Sequence, residues 1–259
     1  MWRDNAACAA CFTFDFDAEE VWIGEDPENA GRPGVLSQGT YGAKVAVPAI
    51  LGLLERHGVR ATFFVPGRVA ERHPGRVEQI VAAGHELALH GYTHRAVTSL
   101  DAGQEDEEME KGLHALRRFS SHVLGYRSPS WELTDHTLEL VARHGLLYSS
   151  NLMDDVRPYR HADSGVVELP IHWMLDDAAH FWFDGAGWTN KIATNSEVRE
   201  IWWGELEGIK AMGGSFTLTM HPQIIGRPSR LALLDEILSI VTAQDDIWVA
   251  TAAEITSAL

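Results

Sequence analysis

The chain has 259 residues, of which 45% are hydrophobic and 22% charged, an ordinary composition for a globular protein. It excludes the disordered, collagen-like and coiled-coil classes, and no apolar run approaches the roughly 18 residues that a membrane helix needs. The 21 basic and 37 acidic residues give a net charge of −16. That balance disfavours nucleic acid and membranes as partners, because either requires a basic patch, although a local basic site is compatible with it.

Short apolar strands alternate with amphipathic helices from one end of the chain to the other. We predict strands at residues 9–16, 61–65, 86–89, 123–126, 146–149, 166–169, 216–220 and 247–249. Helices are predicted at residues 43–57, 77–83, 101–118, 134–144, 197–212 and 231–243. The alternation indicates parallel strands joined by crossover helices, an α/β fold. No change in composition marks a boundary, so residues 1–259 are predicted to form one domain.

Two long segments carry no strong helix pattern. Residues 24–42 are rich in Gly, Pro, Glu and Asp and are predicted to be a loop. Residues 159–195 carry Trp173, Trp182 and Trp188 and are predicted to be a functional loop region that closes over a site.

The cysteine count and the first residues bear on the cellular compartment. Cys8 and Cys11 are too few for a disulfide framework, and on a strand two positions three apart point to opposite faces. We therefore expect two inert thiols. The first residues lack a basic region followed by an apolar stretch, so a cytoplasmic location is expected.

Polar side chains follow four of the predicted strands at their carboxyl ends, where parallel α/β sheets form their sites. The first of these four strands ends with Asp15 and Asp17, the second is followed by His90 to His94, the third by Arg127 to Trp131 and the fourth by His221. Four separate segments thus deliver aspartate, histidine and arginine to one rim. A titratable histidine on such a rim, His221, is a candidate general acid.

A divalent metal explains three of these residues. Asp15 and Asp17 face the same side of an extended chain, which is costly unless a cation lies near them. The spacing of His90 and His94 would put both rings on one face of a helical turn. Together with Asp17 they form a set of two imidazoles and one carboxylate with open positions for water and substrate. Zinc suits this set best, with Co, Mn, Ni or Fe(II) as alternatives.

The four rim segments together resemble the motifs of the polysaccharide deacetylase superfamily, also called NodB-homology or carbohydrate esterase family 4. The resemblance spans roughly residues 10–255 in matching order. It implies a deformed (β/α)7 barrel. Residues 153–159, 168–170, 176–177 and 226–230 resemble an intracellular branch with peptidoglycan-deacetylase-like proteins, cyclic-imide hydrolases and an allantoinase. Members of that branch tend to form homo-oligomers, so a homo-oligomer is expected.

The resemblance also implies roles for individual residues. Asp15 would be the general base, Arg127 its orienting partner and His221 the general acid. The metal ligands would be Asp17, His90 and His94. The residues expected to bind substrate are Trp131, Tyr92, Trp173 and Glu168.

One position departs from the family pattern. The aspartate that usually tunes the acid histidine is replaced by residues 148–151, Tyr-Ser-Ser-Asn. Either Asp154 or Asp155 supplies that carboxylate, or His221 is tuned in another way.

The implied reaction is the hydrolysis of a carbon–nitrogen bond in a non-peptide amide. An N-acetylated amino sugar is one candidate substrate, and a small cyclic or linear amide such as an imide or ureide is another. A third alternative is a module that binds metal or sugar without turnover.

Overall fold

The protein is described by a computed structural model that covers residues 2–183 and 191–259. Within these residues the strands form one sheet in the order β6-β7-β5-β4-β3-β2-β1-β8, with β9 also paired to β1. The strands are β1 Cys8–Asp15, β2 Thr62–Val65, β3 Glu86–Leu89, β4 Gly125–Tyr126, β5 Tyr148–Ser149, β6 Tyr159–Arg160, β7 Val167–Glu168, β8 Ser215–Met220 and β9 Ile247–Val249. All described pairings are parallel except that of β6 with β7.

Strand β1 pairs with β2, β8 and β9 and is buried along its whole length. Its alternate residues enter two apolar clusters, because successive side chains of a strand point to opposite faces. Ala10 and Phe12 belong to one cluster, whereas Ala9 and Cys11 belong to the other. Both faces of the sheet are therefore covered, as expected of parallel strands with near-continuous apolar sequence.

Helices connect the parallel strands and supply most of the larger apolar cluster. They are α1 Glu20–Glu25, α2 Pro33–Tyr41, α3 Val47–His57, α4 Gly67–Arg72, α5 Pro74–Ala82, α6 Ala102–Leu116, α7 Thr137–Arg143, α8 Asp177–Phe181, α9 Asn195–Met212, α10 Pro222–Ile225, α11 Pro228–Thr242 and α12 Ala252–Thr256. Helix α11 packs against α3 and α9. Both α6 and α9 begin at the capping boxes that start from Asp101 and Thr194.

The sheet curls into a barrel whose ends do not join by a regular ladder in the described part of the chain. On the far side of β8, Asp176 forms an isolated parallel bridge with Thr219. The amide of Ser215 donates to the carbonyl of Val156 at 2.8 Å. Single contacts therefore replace a strand pair at this seam, which confirms the predicted deformed α/β barrel.

The prediction of a loop at residues 24–42 was wrong. This stretch holds the end of α1, a 3-10 turn at Pro27–Gly31 and all of α2. A Cβ on Gly39 would lie 2.4 Å from the backbone of Ala18, so this glycine permits close packing of a helix against the chain beyond β1. Composition alone does not distinguish that use of glycine from its use in loops.

Both cysteines are free and buried, as predicted. They enter different apolar clusters, and burial raises the pKa of the Cys8 thiol to about 11 and that of Cys11 further. At neutral pH both are protonated and unreactive. Within the described ranges, the helices are too short or too polar for any of them to cross a bilayer.

Candidate active site

Three side chains from two strand ends converge as predicted. The Nε2 atom of His90 lies 3.4 Å from Oδ1 of Asp17, and Nε2 of His94 lies 3.6 Å from the same oxygen. Asp17 follows β1 directly, and His90 is the first residue after β3. Since β1 and β3 both flank β2 in parallel, their carboxyl ends lie on one rim.

The two histidines meet through a loop, which corrects the expected helical turn. Gly91 and His94 both have left-handed backbone conformations, with φ of 68° and 58°. The rings stand nearly edge to face, with centroids 5.0 Å apart. Nδ1 of His90 is 2.7 Å from the carbonyl oxygen of Arg127, so it carries the proton and leaves Nε2 unprotonated towards Asp17. A left-handed non-glycine residue such as His94 stores backbone strain, a feature that clusters at functional sites.

Asp17 is a buried carboxylate without a hydrogen-bond partner. Its side chain is 1% exposed, and neither oxygen accepts a hydrogen bond from the described residues. Burial therefore raises the pKa of Asp17 well above its usual range, and burial lowers the pKa of His90 and of His94. A carboxylate and two neutral imidazoles aimed at one point are the donor set of a divalent transition metal, so the residues fit such an ion.

Asp15 is held in its ionised form by Arg127. Nη1 of Arg127 donates to Oδ1 of Asp15 at 2.7 Å, and both side chains are buried. Burial alone would raise the pKa of Asp15, but the charge of Arg127 and its hydrogen bond outweigh it, and the pKa lies below its usual value. Asp15 can therefore accept a proton at neutral pH.

The guanidinium of Arg127 is fixed on every side. It donates to the Ser150 hydroxyl at 2.9 Å and to the Ser150 carbonyl at 3.2 Å, and it lies 4.1 Å above the ring of Phe64. The Thr13 hydroxyl accepts a further bond at 3.0 Å. Ser150, in the stretch of residues 148–151 that departs from the family pattern, thus holds the arginine that faces Asp15.

The carboxylate beside His221 is that of Asp177, not that of Asp154 or Asp155. Oδ1 of Asp177 lies 2.7 Å from Nδ1 of His221. Asp154 accepts instead from Tyr159, and Asp155 accepts from the amides of the two residues that follow it. Burial alone would lower the pKa of His221, but the charges of Asp176 and Asp177 raise it well above its usual value.

Asp176, Asp177 and His221 form a second group with metal-ligand geometry. In this group the carboxylate of Asp177 already accepts hydrogen bonds from the protein. Asp177 accepts from the backbone amides of His221 and Ile225, each at 3.0 Å, besides the imidazole. Asp17 has no such bonds. The donors free for a metal are therefore those around Asp17, whereas Asp177 orients the histidine.

The four predicted substrate-binding residues divide into two pairs. Trp131 and Trp173 stack with ring centroids 4.2 Å apart, and Trp173 is 46% exposed. In contrast, the Tyr92 hydroxyl donates to Glu71, and Glu168 is fully buried. Glu168 accepts from the amides of Asn151 and Leu152 and lies 3.0 Å from His161, contacts that support the chain beside Arg127. Trp188, predicted to close the site, lies outside the described residues.

Sequence and structure comparisons agree with this geometry. A family model described as polysaccharide deacetylase matches residues 39–149. A crystal structure from Mycobacterium smegmatis, assigned as a polysaccharide deacetylase, superposes with a TM-score of 0.96 and 42% identity over 100% of this chain and 92% of that one. The chain belongs to the polysaccharide deacetylase family. Deacetylases cleave an amide carbon–nitrogen bond, so the predicted class, a hydrolase of non-peptide carbon–nitrogen bonds, is confirmed.

Two further relatives of this polysaccharide deacetylase family member cover almost its whole length. The peptidoglycan deacetylase of Helicobacter pylori is 26% identical over 91% of this chain and 90% of its own. The crystal structure of the PuuE allantoinase superposes with a TM-score of 0.85 at 22% identity, over 99% of this chain and 91% of that one. The latter likeness shows a shared fold.

The partner of His221 is the residue of this deacetylase site that sequence reasoning missed. Asp177 lies 44 positions before His221, inside the segment predicted as a loop. The sequence signal was the adjacent pair Asp176-Asp177. Two carboxylates next to apolar residues are costly to bury unless a partner binds them. Asp176 caps α8 by accepting from the amide of Ala178, and this places Asp177 in the first turn.

Proposed function

We propose that the protein is a metal-dependent N-deacetylase that acts on an N-acetylated amino sugar. One observation carries the proposal above all: a buried carboxylate, Asp17, has both oxygens unpartnered and two imidazole nitrogens 3.4 and 3.6 Å from one of them. Such an arrangement is costly by itself and is explained by a bound cation.

Asp17, His90 and His94 would hold the ion, with zinc as the best match to two imidazoles and a carboxylate. A bound divalent ion lowers the pKa of water towards about 7 and polarises an amide carbonyl. Nδ1 of His90 donates its proton to the backbone carbonyl of Arg127, so the ring presents Nε2 as the nitrogen that can bind the ion.

The remaining groups of the rim supply the proton transfers. Asp15, ionised by its contact with Arg127, takes a proton from the attacking water. His221, protonated between Asp176 and Asp177, donates a proton to the leaving nitrogen. One group is thus ready to accept and the other to donate, which is what cleavage of an amide requires.

A small cyclic or linear amide is the second candidate substrate. A cavity of about 310 Å³, lined in part by residues that follow the rim residues along the chain, contains the aromatic side chains of Trp22, Phe181 and Trp182. That size suits one ring better than a long polymer. The third alternative, a metal- or sugar-binding domain without turnover, requires that the set of Asp15, Arg127 and His221 serve no reaction.

The test begins with purified protein stripped of metal and restored with zinc. The substrates are acetylated glucosamine oligomers, muropeptides, allantoin and cyclic imides. Acetate release supports the deacetylase, and ring opening supports the second candidate. Binding without any turnover would support the third.

Two variants test the residue roles separately. Asp17→Ala should lose bound zinc, whereas Asp15→Ala should keep zinc and lose turnover by about 10²–10⁴-fold, the usual contribution of a general base. Asp135→Ala, at an exposed carboxylate, is the matched control. Zinc retained at full occupancy in Asp17→Ala would contradict the assignment of ligands.

Three wider properties complete the proposal. We infer a single catalytic domain over residues 1–259, a cytoplasmic location and a homo-oligomeric state. Mass measurement of the native protein in solution checks the last of these.

A further inference from the structure

A cavity of about 310 Å³ is lined in part by the three chain segments that carry Asp17, Asp177 and His221. Each segment runs from its rim residue directly into the cavity wall. The wall residues concerned are Trp22, Phe181 and Gln223, which follow the rim residues by five, four and two positions. At these three points the cavity wall follows the rim along the chain, although no rim residue is itself among the described residues that line it.

Gln223 supplies a buried polar group without a partner. Gln223 is 5% exposed, and neither its Nε2 nor its Oε1 has a hydrogen-bond partner among the described residues. Buried amides are almost always paired, because an unpaired one costs free energy. A ligand that offers both an acceptor and a donor, such as a hydroxyl or an amide, would complete it.

One wall of the cavity is flat and aromatic. The rings of Trp22 and Trp182 stack with centroids 5.3 Å apart and an interplanar angle of 26°. Trp22 is 8% exposed and lies in α1. Its backbone carbonyl accepts a hydrogen bond from the Asn29 side chain at 2.8 Å. A rigid aromatic wall favours the apolar face of a ring-shaped ligand.

The cavity lining also contains two arginines, Arg227 and Arg230, although the chain carries a net charge of −16. Arg227 lies 4.0 Å above the ring of Tyr41, and Arg230 lies 4.0 Å above that of Phe181. Arg230 donates to neutral oxygens, those of the Asn195 side chain and the Ala193 carbonyl. No Asp or Glu is among the described residues that line the cavity. A guanidinium held in place and free of a protein carboxylate suits a ligand carboxylate.

We propose that this cavity is a substrate subsite for a ring that bears a carboxylate, with Gln223 binding a hydroxyl or amide of the ligand and Arg227 binding its carboxylate. The inference rests on the proposed function, because it names the class of substrate that the rim would hydrolyse. Two sources share this chemistry: an acidic amino sugar and a small acidic cyclic amide.

The experiment measures equilibrium binding to the zinc-loaded protein by calorimetry, so it does not depend on turnover. Two ligand pairs differ in a carboxylate: N-acetylmuramic acid against N-acetylglucosamine, and hydantoin-5-acetic acid against hydantoin. In at least one pair the acid should bind about tenfold more tightly than its neutral counterpart. The pair that shows the preference identifies the source.

Variants test the residues. Arg227→Gln should reduce the acid-to-neutral affinity ratio to near one, whereas Arg199→Gln, an exposed arginine paired with Glu236, should retain it. Gln223→Leu should weaken binding of both members about tenfold and at the same time raise the melting temperature, since it removes a buried unpaired amide of similar shape. Higher stability excludes a folding defect as the cause of the weaker binding.

Equal affinity for acid and neutral members in both pairs, or a preference that survives Arg227→Gln, would overturn the subsite. The proposed function fails on a different result, the absence of acetate release or ring opening. The two failures are thus distinguishable.

Discussion

At the scale of single residues, the two protonation states of the rim are set by different partners. Arg127 favours the ionised form of Asp15, whereas Asp176 and Asp177 favour the protonated form of His221. The two groups are ready for opposite proton transfers at the same pH. Substitution of a partner should therefore reduce activity although the partner touches no substrate.

Asp177→Asn tests this view of His221. An asparagine would turn an NH₂ group towards at least one of the three donors that Asp177 accepts from, so the imidazole loses its orientation. We expect kcat to fall about 10²-fold on the substrate that the native protein hydrolyses. Steady-state kinetics measure the change.

The double variant Asp177→Asn/His221→Ala provides the control. If Asp177 acts through His221, the double variant should be no slower than His221→Ala alone, because residues that act as a unit are not additive. Fully multiplicative losses would show that Asp177 has a separate role.

His85 predicts a pH dependence of stability away from the rim. The amide of Ala61 donates to Nδ1 of His85 at 3.1 Å, which requires a neutral ring, and burial together with the charge of Arg60 lowers the pKa of His85 to about 4. As the pH falls below about 6.5, the unfolded chain binds this proton first. This contribution to the free energy of unfolding should therefore fall by about 2 kcal/mol between pH 7 and pH 5.

Urea unfolding at the two pH values measures that change, and His85→Asn isolates it. The asparagine oxygen can accept the Ala61 amide but does not titrate. The difference in stability between native protein and variant should change by about 2 kcal/mol from pH 7 to pH 5. A constant difference would contradict the assignment.

At the scale of elements, one glycine of β4 marks the tightest contact inside the barrel. A Cβ on Gly125 would lie 1.8 Å from the ring of Tyr148, which is fully buried and donates to Glu86 at 2.7 Å. The ring cannot retreat without breaking that bond. The β4–β5 pair beside Arg127 and Ser150 therefore depends on this glycine.

Gly125→Ala should lower the free energy of unfolding by at least about 2 kcal/mol, as expected of overpacking in a filled core. Gly52→Ala is the matched control, because a Cβ there meets nothing within 4 Å and the residue lies inside α3. The control should gain roughly 0.5–1 kcal/mol from helix propensity. Equal effects of the two changes in urea unfolding would refute the packing explanation.

The elements also show what sequence could and could not predict. β3 and β9 have the predicted bounds because apolar runs of that length, ended by polar residues, have few alternatives. The helices of residues 20–41 were not predicted, because they depend on contacts across the fold, such as the stack of Trp22 on Trp182.

The site, like the fold, was predictable from the sequence only in part. Residues at strand ends can be assigned to one rim from topology alone, which is why Asp17, His90 and His94 were found. The bond from Asp177 to His221 depends on how residues 170–177 cross the open seam beside β8, and no local pattern encodes that path.

At the scale of the whole molecule, the buried and unpartnered carboxylate of Asp17 should make the stability of the fold depend on bound metal. Saturating zinc at about 1,000 times its dissociation constant contributes about 4 kcal/mol. For a chain of this size that corresponds to a rise in melting temperature of roughly 10 °C. Thermal unfolding with zinc and with a chelator measures it.

Asp17→Ala should abolish that response. Its melting temperature in chelator should exceed that of the native protein in chelator, because the buried unpaired carboxylate is gone. A native-sized response to zinc in Asp17→Ala would mean that the stabilising ion binds elsewhere.

The position of β1 has a consequence for the order in which the molecule can be made. This strand is synthesised before the strands that complete its ladder, Ser215–Met220 and Ile247–Val249. Long-range pairings of this kind form late. A nascent chain that stops before residue 215 exposes an apolar strand without two of its neighbours and lacks His221, so we expect it to be inactive and prone to aggregation.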